Sequence, residues 1–286
     1  MTRQPVQLLS TWVQRQIPTD QWQWLTERAS AGAATTDKDI FITLGLIPRR
    51  LGRADLDLGG SDLEEAEAAC PGWDPRGWSI DGAARVMVLL QTVAQGGGFP
   101  EKFQRLCRTA DVAEAIAFYR GLALYPNPER LEPVAAEGLR SSITAIFEAV
   151  AHDNPYPQRY FDEHRWNHMV LKALFNGSAL APIQGLDKHA NPDLALMLRD
   201  YAHERWAADR PVSPELWRCI GPFATSPEVL ADLTRVLQSD TARERAAGAL
   251  ALAASPADEA SRLLAAAPDL RGQIDAGTLT WNTLPR

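Results

Sequence analysis

The sequence predicts an all-α protein: an irregular helical array or α-solenoid in which short helix pairs stack in a HEAT-like manner. Three observations carry this expectation. Apolar residues recur three and four apart along nearly every segment, as a helix with one buried face requires. Ser, Thr, Asp, Asn and Pro stand repeatedly where such segments begin, positions at which a side chain caps an orphan amide or a missing amide costs nothing. No segment alternates apolar and polar residues as a half-buried strand does. No fixed repeat period emerges, so the stacking is irregular.

In chain order, Pro5 opens a segment with Leu8, Leu9, Trp12, Val13 and Ile17 at helical spacing, and Pro18 ends it. Thr19 or Asp20 caps a second helix that runs to Gly32. A third covers Asp37 to Leu46, ahead of Pro48-Arg49-Arg50. Residues 51–78 are rich in Gly, Asp and Pro and hold one short helix, Ser61 to Ala69, with Ser61 and Glu64 at capping-box spacing. Ser79 caps a helix through Ala94 that Gly96-Gly97-Gly98 terminates. This triplet follows a helix and lacks the G-x-G-x-x-G spacing of a phosphate loop. Pro100 to Tyr119 is helical, and a longer helix from Glu129 to Val150 bends at Gly138. Pro157 admits a helix from Gln158 through Phe175, ended by Asn176-Gly177 with a left-handed glycine. Asn191 as cap and Pro192 at the first position start another helix to Ala208, and Pro214 to Ile220 form one more. Three alanine-rich helices follow: Ser226 to Gln238, Thr241 to Ala254 and Pro256 to Ala266. The organisation reads as one domain over 1–286, with residues 224–286 as a C-terminal helical cap.

Composition narrows the partners. A formal net charge of -7 with no basic run excludes the counterion-releasing surface of a nucleic-acid binder, and argues against an anionic membrane as partner. No run approaches the ~20 apolar residues of a membrane span, and the N-terminus carries no leader-like apolar stretch, so the expected compartment is the cytoplasm. Cys70, Cys107 and Cys219 are odd in number, far apart and outside any C-x-x-C pair, as buried reduced thiols are.

Chemistry concentrates between Asp153 and Trp217, which holds four of the five histidines. On the helix through Phe175, His164, His168 and Lys172 fall on one line with Tyr160 one turn earlier, and Glu163 and Asn167 flank it. An H-x-x-x-H pair can hold a divalent metal given a third ligand. The residues between the histidines are Arg-Trp-Asn rather than the metallopeptidase pattern, and Arg165 and Lys172 oppose a cation, so neither metal nor cofactor is expected. Tyr201, His203, Glu204 and Trp206 on the following helix complete a polar set. The ligand-binding candidates are therefore Tyr160, Glu163, His164, Asn167, His168, Lys172, Tyr201, His203, Glu204 and Trp206. If the protein turns a substrate over, His203, Glu204 and Lys172 are the acid/base groups. The simpler reading of the same groups is a set of inter-helix salt links.

Several strings together resemble the EboA-domain family. They are Gly72-Trp73-Asp74-Pro75-Arg76-Gly77-Trp78-Ser79, Tyr119-Arg120-Gly121-Leu122, Leu124-Tyr125-Pro126 and Asn154-Pro155-Tyr156-Pro157. Trp166-Asn167, the run Val170 to Phe175, Ala190-Asn191-Pro192 and Tyr201-Ala202-His203-Glu204-Arg205-Trp206 belong to the same set, which spans about residues 45–223. Each string is weak alone; the combination is specific. His168 departs from the resemblance, which implies an amide there.

The resemblance implies a bacterial protein of a secondary-metabolite cluster whose companions include a prenyltransferase, a metal-dependent hydrolase, a sugar-phosphate cyclase and a TIM-barrel protein. It implies an accessory role in metabolite biosynthesis or export and brings no assigned catalytic residue. Two functions stay open. One is a non-catalytic accessory protein that binds a small apolar intermediate or a neighbouring enzyme. The other is an enzyme acting on an apolar or prenylated metabolite with acid/base groups between two helices.

Overall fold

A computed structural model describes residues 3–30, 36–93 and 98–285. As predicted, the chain is an all-α array: seventeen α-helices are described, and the β-type pairing among the described residues is one isolated bridge, Asp55 to Ser79. None of the described helices is long and apolar enough to cross a membrane. The expected helix ends at Gly32, Ala94 and Gly96-Gly97 lie outside the described residues. The chain divides into two compact units, residues 1–161 and 162–286.

The first unit is built around one buried helix. Its helices are α1 (Pro5–Gln14), α2 (Thr19–Ala29), α3 (Asp37–Leu51), α4 (Gly60–Ala69), α5 (Ile80–Val88), α6 (Phe99–Thr109), α7 (Val112–Arg120), α8 (Glu132–Arg140), α9 (Thr144–Ala151) and α10 (Tyr156–Tyr160). Every residue of α5 is buried: seven of its nine residues are small or apolar, and its two charged ones, Asp81 and Arg85, pair with each other. The Ser79 hydroxyl caps it by accepting from the Gly82 amide at 3.2 Å. Helices α1, α3 and α7 pack around α5. Trp12, Trp73 and Trp78 form a chain of tilted rings at 5.3 and 6.0 Å, and Phe103 gathers Phe99, Phe118 and Tyr125. Asp62 ties α4 to α1 by accepting from both terminal nitrogens of Arg15.

Five sequence expectations change here. Helix α3 runs through Pro48 to Leu51, and α4 is closed by Asp62 on the Gly59 amide rather than by a Ser61–Glu64 box. The segment 100–119 is two helices, because Asp111 and Glu114 form a reciprocal capping box (2.8 and 3.0 Å) that starts α7 afresh. The helix expected over 129–150 breaks at residues 141–143, where Ser141 Oγ accepts from the Ile143 amide at 3.1 Å. Gly138 is no bend: a Cβ there would lie 2.8 Å from the Tyr119 ring and from Val150 Cγ2, so glycine permits close packing. The helix expected from Gln158 through Phe175 also divides. α10 ends at Tyr160, and Asp162 Oδ1 accepts from the Arg165 amide at 2.8 Å to cap a new helix.

The second unit holds that helix, α11 (Glu163–Asn176), then α12 (Pro192–Ala207), α13 (Trp217–Ile220), α14 (Pro227–Leu237), α15 (Ala242–Ala254), α16 (Asp258–Leu264) and α17 (Pro268–Asp275). Gly177 ends α11 at φ +73°, as expected. Asn191 caps α12 as read from the sequence, Ser226 and Thr241 cap α14 and α15, and Pro256, expected at a helix's first position, precedes α16 by two residues. Helix α17 was not anticipated; Leu270 and Ile274 join Leu250 and Leu279 in a small terminal core. At Gly248 a Cβ would meet the Leu237 amide nitrogen at 2.6 Å, so α15 lies tight against the end of α14.

Candidate functional site

The residues singled out in the sequence do not assemble into one pocket. Tyr160 belongs to the first unit, where its ring packs on Tyr156 at 4.9 Å. The break at Asp162 removes it from the helix that carries the other candidates. On α11, Glu163, His164 and His168 are exposed. The two imidazoles lie 4.2 Å apart, and His168 Nδ1 is 2.8 Å from the His164 carbonyl. Among the described residues, no three His, Cys, Asp or Glu side chains gather as metal ligands.

Asn167 is buried and exchanges two amide hydrogen bonds with Asn191, at 3.1 and 2.8 Å. Asn191 Oδ1 also accepts from the Leu194 amide, so this pair fastens α11 to the first turn of α12. The Tyr201 hydroxyl donates to the Leu174 carbonyl at 3.3 Å, and its ring meets Phe175 edge-on. His203 Nε2 lies 2.8 Å from Asp232 Oδ2, which also accepts from Arg199 Nε at 2.6 Å. The partner of His203 is thus a carboxylate on α14, rather than Lys172 as its place in the sequence suggested. Lys172 is half-buried, and burial lowers its pKa. Glu204 is exposed.

Of the candidates, Trp206 borders a cavity of about 250 Å³ between Trp217, Val236, Gln238 and Glu244. Its indole stacks on Trp217 at 5.5 Å, and the Arg235 guanidinium lies 4.0 Å from the ring centroid. Arg235 also borders a wide shallow depression of about 690 Å³ between α14 and α16.

A different site forms in the first unit, where three separated strings meet. The turn 72–79 bends on Gly72 (φ +77°) and Gly77 (φ +68°) and presents Asp74 and Arg76 as a bidentate ion pair. Arg120, the last residue of α7, donates from Nη1 to the Gly77 carbonyl at 2.8 Å. After α9 the chain reverses through Asp153, left-handed at φ +48°. Asn154 fixes that reversal: its buried Nδ2 donates to the Tyr119 and Ala149 carbonyls, both at 3.0 Å, and its Oδ1 accepts from the Tyr156 amide.

Two adjoining chambers result, sharing Trp78, Ile116 and Arg120 as a common wall. One, about 180 Å³, is bordered by Asp74, Arg76, Glu148, His152 and Asp153. The other, about 210 Å³, is bordered by Arg53, Ser79, Asp81, Gly82, Ala113 and Ala117. In the acidic chamber the Arg76 guanidinium holds the Asp74 carboxyl below the usual carboxylate range. Burial, and then the charge of Asp74, push the Asp153 carboxyl above it. Burial also lowers the pKa of Arg120.

Behind the second chamber Asp81 accepts from Arg85 Nη1 at 2.5 Å, and both side chains are almost wholly buried. Arg85 Nε and Nη2 meet no acceptor among the described residues. The three thiols are apart from both chambers' walls; burial pushes Cys219 up to about 12 and Cys107 higher still, so neither is a ready nucleophile. The chamber residues escaped the sequence reading because Gly77 and Arg120 are 43 positions apart. The strings 72–79, 119–122 and 154–157 were visible one by one, but their meeting was not.

A family model described as metabolite traffic protein EboA matches residues 5–221. No curated protein and no solved structure matches the chain. Both chambers lie inside the matched span, whereas the depression between α14 and α16 lies beyond it.

Proposed function

The chain belongs to the EboA family, described as metabolite traffic proteins, and from this premise we propose that it is an accessory protein that holds a small pathway intermediate in the two-chambered cleft of its first unit. The observation that carries this reading is the closing of three sequence strings on one cleft, which the hydrogen bonds of Arg120 and Asn154 hold in place. The cleft sets an apolar strip of Trp78, Ile116 and the neighbouring alanines beside fixed polar groups, the two ingredients of a ligand site. Trp78, Ile116, Ala113 and Ala117 suit the apolar body of an intermediate, and Arg120, Asp74 and Asp153 suit its polar substituents.

Native mass spectrometry of protein produced alongside its genomic neighbours, followed by denaturing extraction, tests this. A retained small molecule that is lost in Ile116→Trp, which fills the shared wall, supports the reading. A bare chain bound to a neighbouring enzyme favours a scaffold instead.

A second reading, an enzyme, draws on the divergence of two neighbouring carboxyls: Asp74 held ionised and Asp153 pushed upward, the pattern by which one site keeps both an acid and a base. Conversion of the extracted molecule by wild-type protein but not by Asp153→Asn would favour it.

A further inference from the structure

We propose that the chamber bordered by Arg53 and Arg120 is an anion site, taking the carboxylate or phosphate head of a ligand whose body is aromatic or otherwise apolar. The proposal rests on reading the cleft as a ligand site and adds the chemical class and orientation of what enters it.

Charge decides the class. Two guanidinium groups, Arg53 and Arg120, border this chamber. Its single bordering carboxylate, Asp81, is matched by Arg85 at 2.5 Å in an almost wholly buried pair. Arg85 keeps two donor nitrogens without acceptors among the described residues, so the floor of the chamber is not negative. Ser79 and Gly82 place the first turn of α5 on the same wall, and the positive end of a helix adds to the field. Arg120 is partly desolvated, and one nitrogen, Nη1, is already engaged with the Gly77 carbonyl. An anion beside it restores the charge compensation that burial removes.

Orientation follows from the neighbouring chamber. Beside His152 and the Asp74–Arg76 ion pair, Glu148 and Asp153 add two more carboxyls, so this chamber suits an anionic group less. The head group therefore turns toward Arg53 and Arg120, and the apolar body lies along Trp78, Ile116, Ala113 and Ala117. A guanidinium pair suits planar carboxylate and tetrahedral phosphate alike through charge-assisted hydrogen bonds. The shared chemistry is thus an anionic head on an apolar body.

Three probes of similar size test the proposal on the full chain: benzoate, phenyl phosphate and the neutral benzyl alcohol. Binding is read from tryptophan indole shifts in NMR titrations. Benzoate or phenyl phosphate binding at least about tenfold tighter than benzyl alcohol is expected, as is a loss of about tenfold in Arg53→Gln, the scale of one charge-assisted hydrogen bond. The tighter of the two anions identifies the head group. Arg53 is exposed, so its replacement leaves the core intact. Arg120→Lys keeps the charge but not the fork, and is expected to weaken both anions more than it weakens benzyl alcohol. Equal binding of all three probes, with no response in Arg53→Gln, overturns the anion site while leaving the cleft as an apolar pocket. Binding of no probe overturns the anion site and the cleft reading together. Binding insensitive to Ile116→Trp places the probes elsewhere and overturns both.

Discussion

The two units use polar side chains in opposite ways. In the second unit, several of the groups that the sequence marked out as chemical close joints. Asn167 and Asn191 satisfy each other, Tyr201 serves the Leu174 carbonyl, and His203 shares Asp232 with Arg199. In the first unit, eight ionisable side chains border a cleft, and two of them are left in environments that cost them. Asp153 lies beside another carboxylate and is partly desolvated, and so is Arg120. Density of imidazole, carboxylate and aromatic groups along a chain is therefore a poor guide to a site. A better guide is a polar group whose surroundings disfavour its charge, because a structural joint has no reason to keep one.

The strongest way to break this comparison is at Asp81. Asp81→Asn leaves the Arg85 cation buried without its counterion, and loss of one partner of a buried pair costs about 3–5 kcal/mol. A matching fall in denaturant midpoint, with the joints of the second unit intact, is the expected outcome. A fall of less than ~1 kcal/mol would mean that the pair is hydrated in solution and the chamber floor is open to water.

Next in size is Asn167→Ala, which removes both hydrogen bonds between Asn167 and Asn191 and leaves the Asn191 amide its contacts with the His189 carbonyl and the Leu194 amide. At about 0.5–1.5 kcal/mol for each bond lost, chemical denaturation should show it. Retention of the bound small molecule should not change. Loss of the ligand at unchanged stability would move the site to the second unit and reverse the comparison.

How much of this was legible in the sequence depends on range. Helix caps are local, and Ser79, Asn191, Ser226 and Thr241 could be read directly because the hydroxyl or amide sits three residues from the amide it caps. The breaks at Ala110–Asp111 and at Phe161–Asp162 were missed because helical apolar spacing carries across them. Their signals were present, in Asp111 with Glu114 and in Asp162 as a cap, and periodicity hid them. Gly138 was visible but misread, since sequence cannot tell a bending glycine from one that admits the Tyr119 ring. The cleft was beyond reach for a different reason. It is made by contacts such as Arg120 to Gly77 and Asn154 to Tyr119, and nothing in either string names the other.

A smaller effect sharpens the assignment of His203. Its side chain is 48% exposed against Asp232, and exposed pairs are worth about 0–1 kcal/mol. His203→Ala should therefore shift the thermal midpoint little, and should leave both the retained molecule and any turnover unchanged. Turnover that vanishes in this variant while the fold persists would restore the acid/base reading of α12 and displace the first-unit cleft.

The finest test asks whether Asp153 is kept at a cost. Its folded pKa is raised, by burial first and by Asp74 second, from an ordinary value of 3.8. A raised acid favours the folded state below the unfolded pKa, and that advantage is lost as pH rises through the folded value. At neutral pH the ionised carboxylate is thus a liability, and the half-exposed setting keeps that liability modest. Asp153→Asn removes the charge, and Asn tolerates the left-handed backbone that this position adopts. The variant should melt at a higher temperature than wild type at pH 7, and the gap should close as pH falls toward 4. Asp62 provides the internal control with the opposite sign. Its pKa is lowered, mainly by the Arg15 hydrogen bonds, so its contribution is present above the ordinary value and fades as pH falls. Asp62→Asn should therefore lower the midpoint at pH 7. If both variants lower it, Asp153 is one more structural joint, and the contrast between a unit that spends its polar groups on packing and a unit that holds some in reserve disappears.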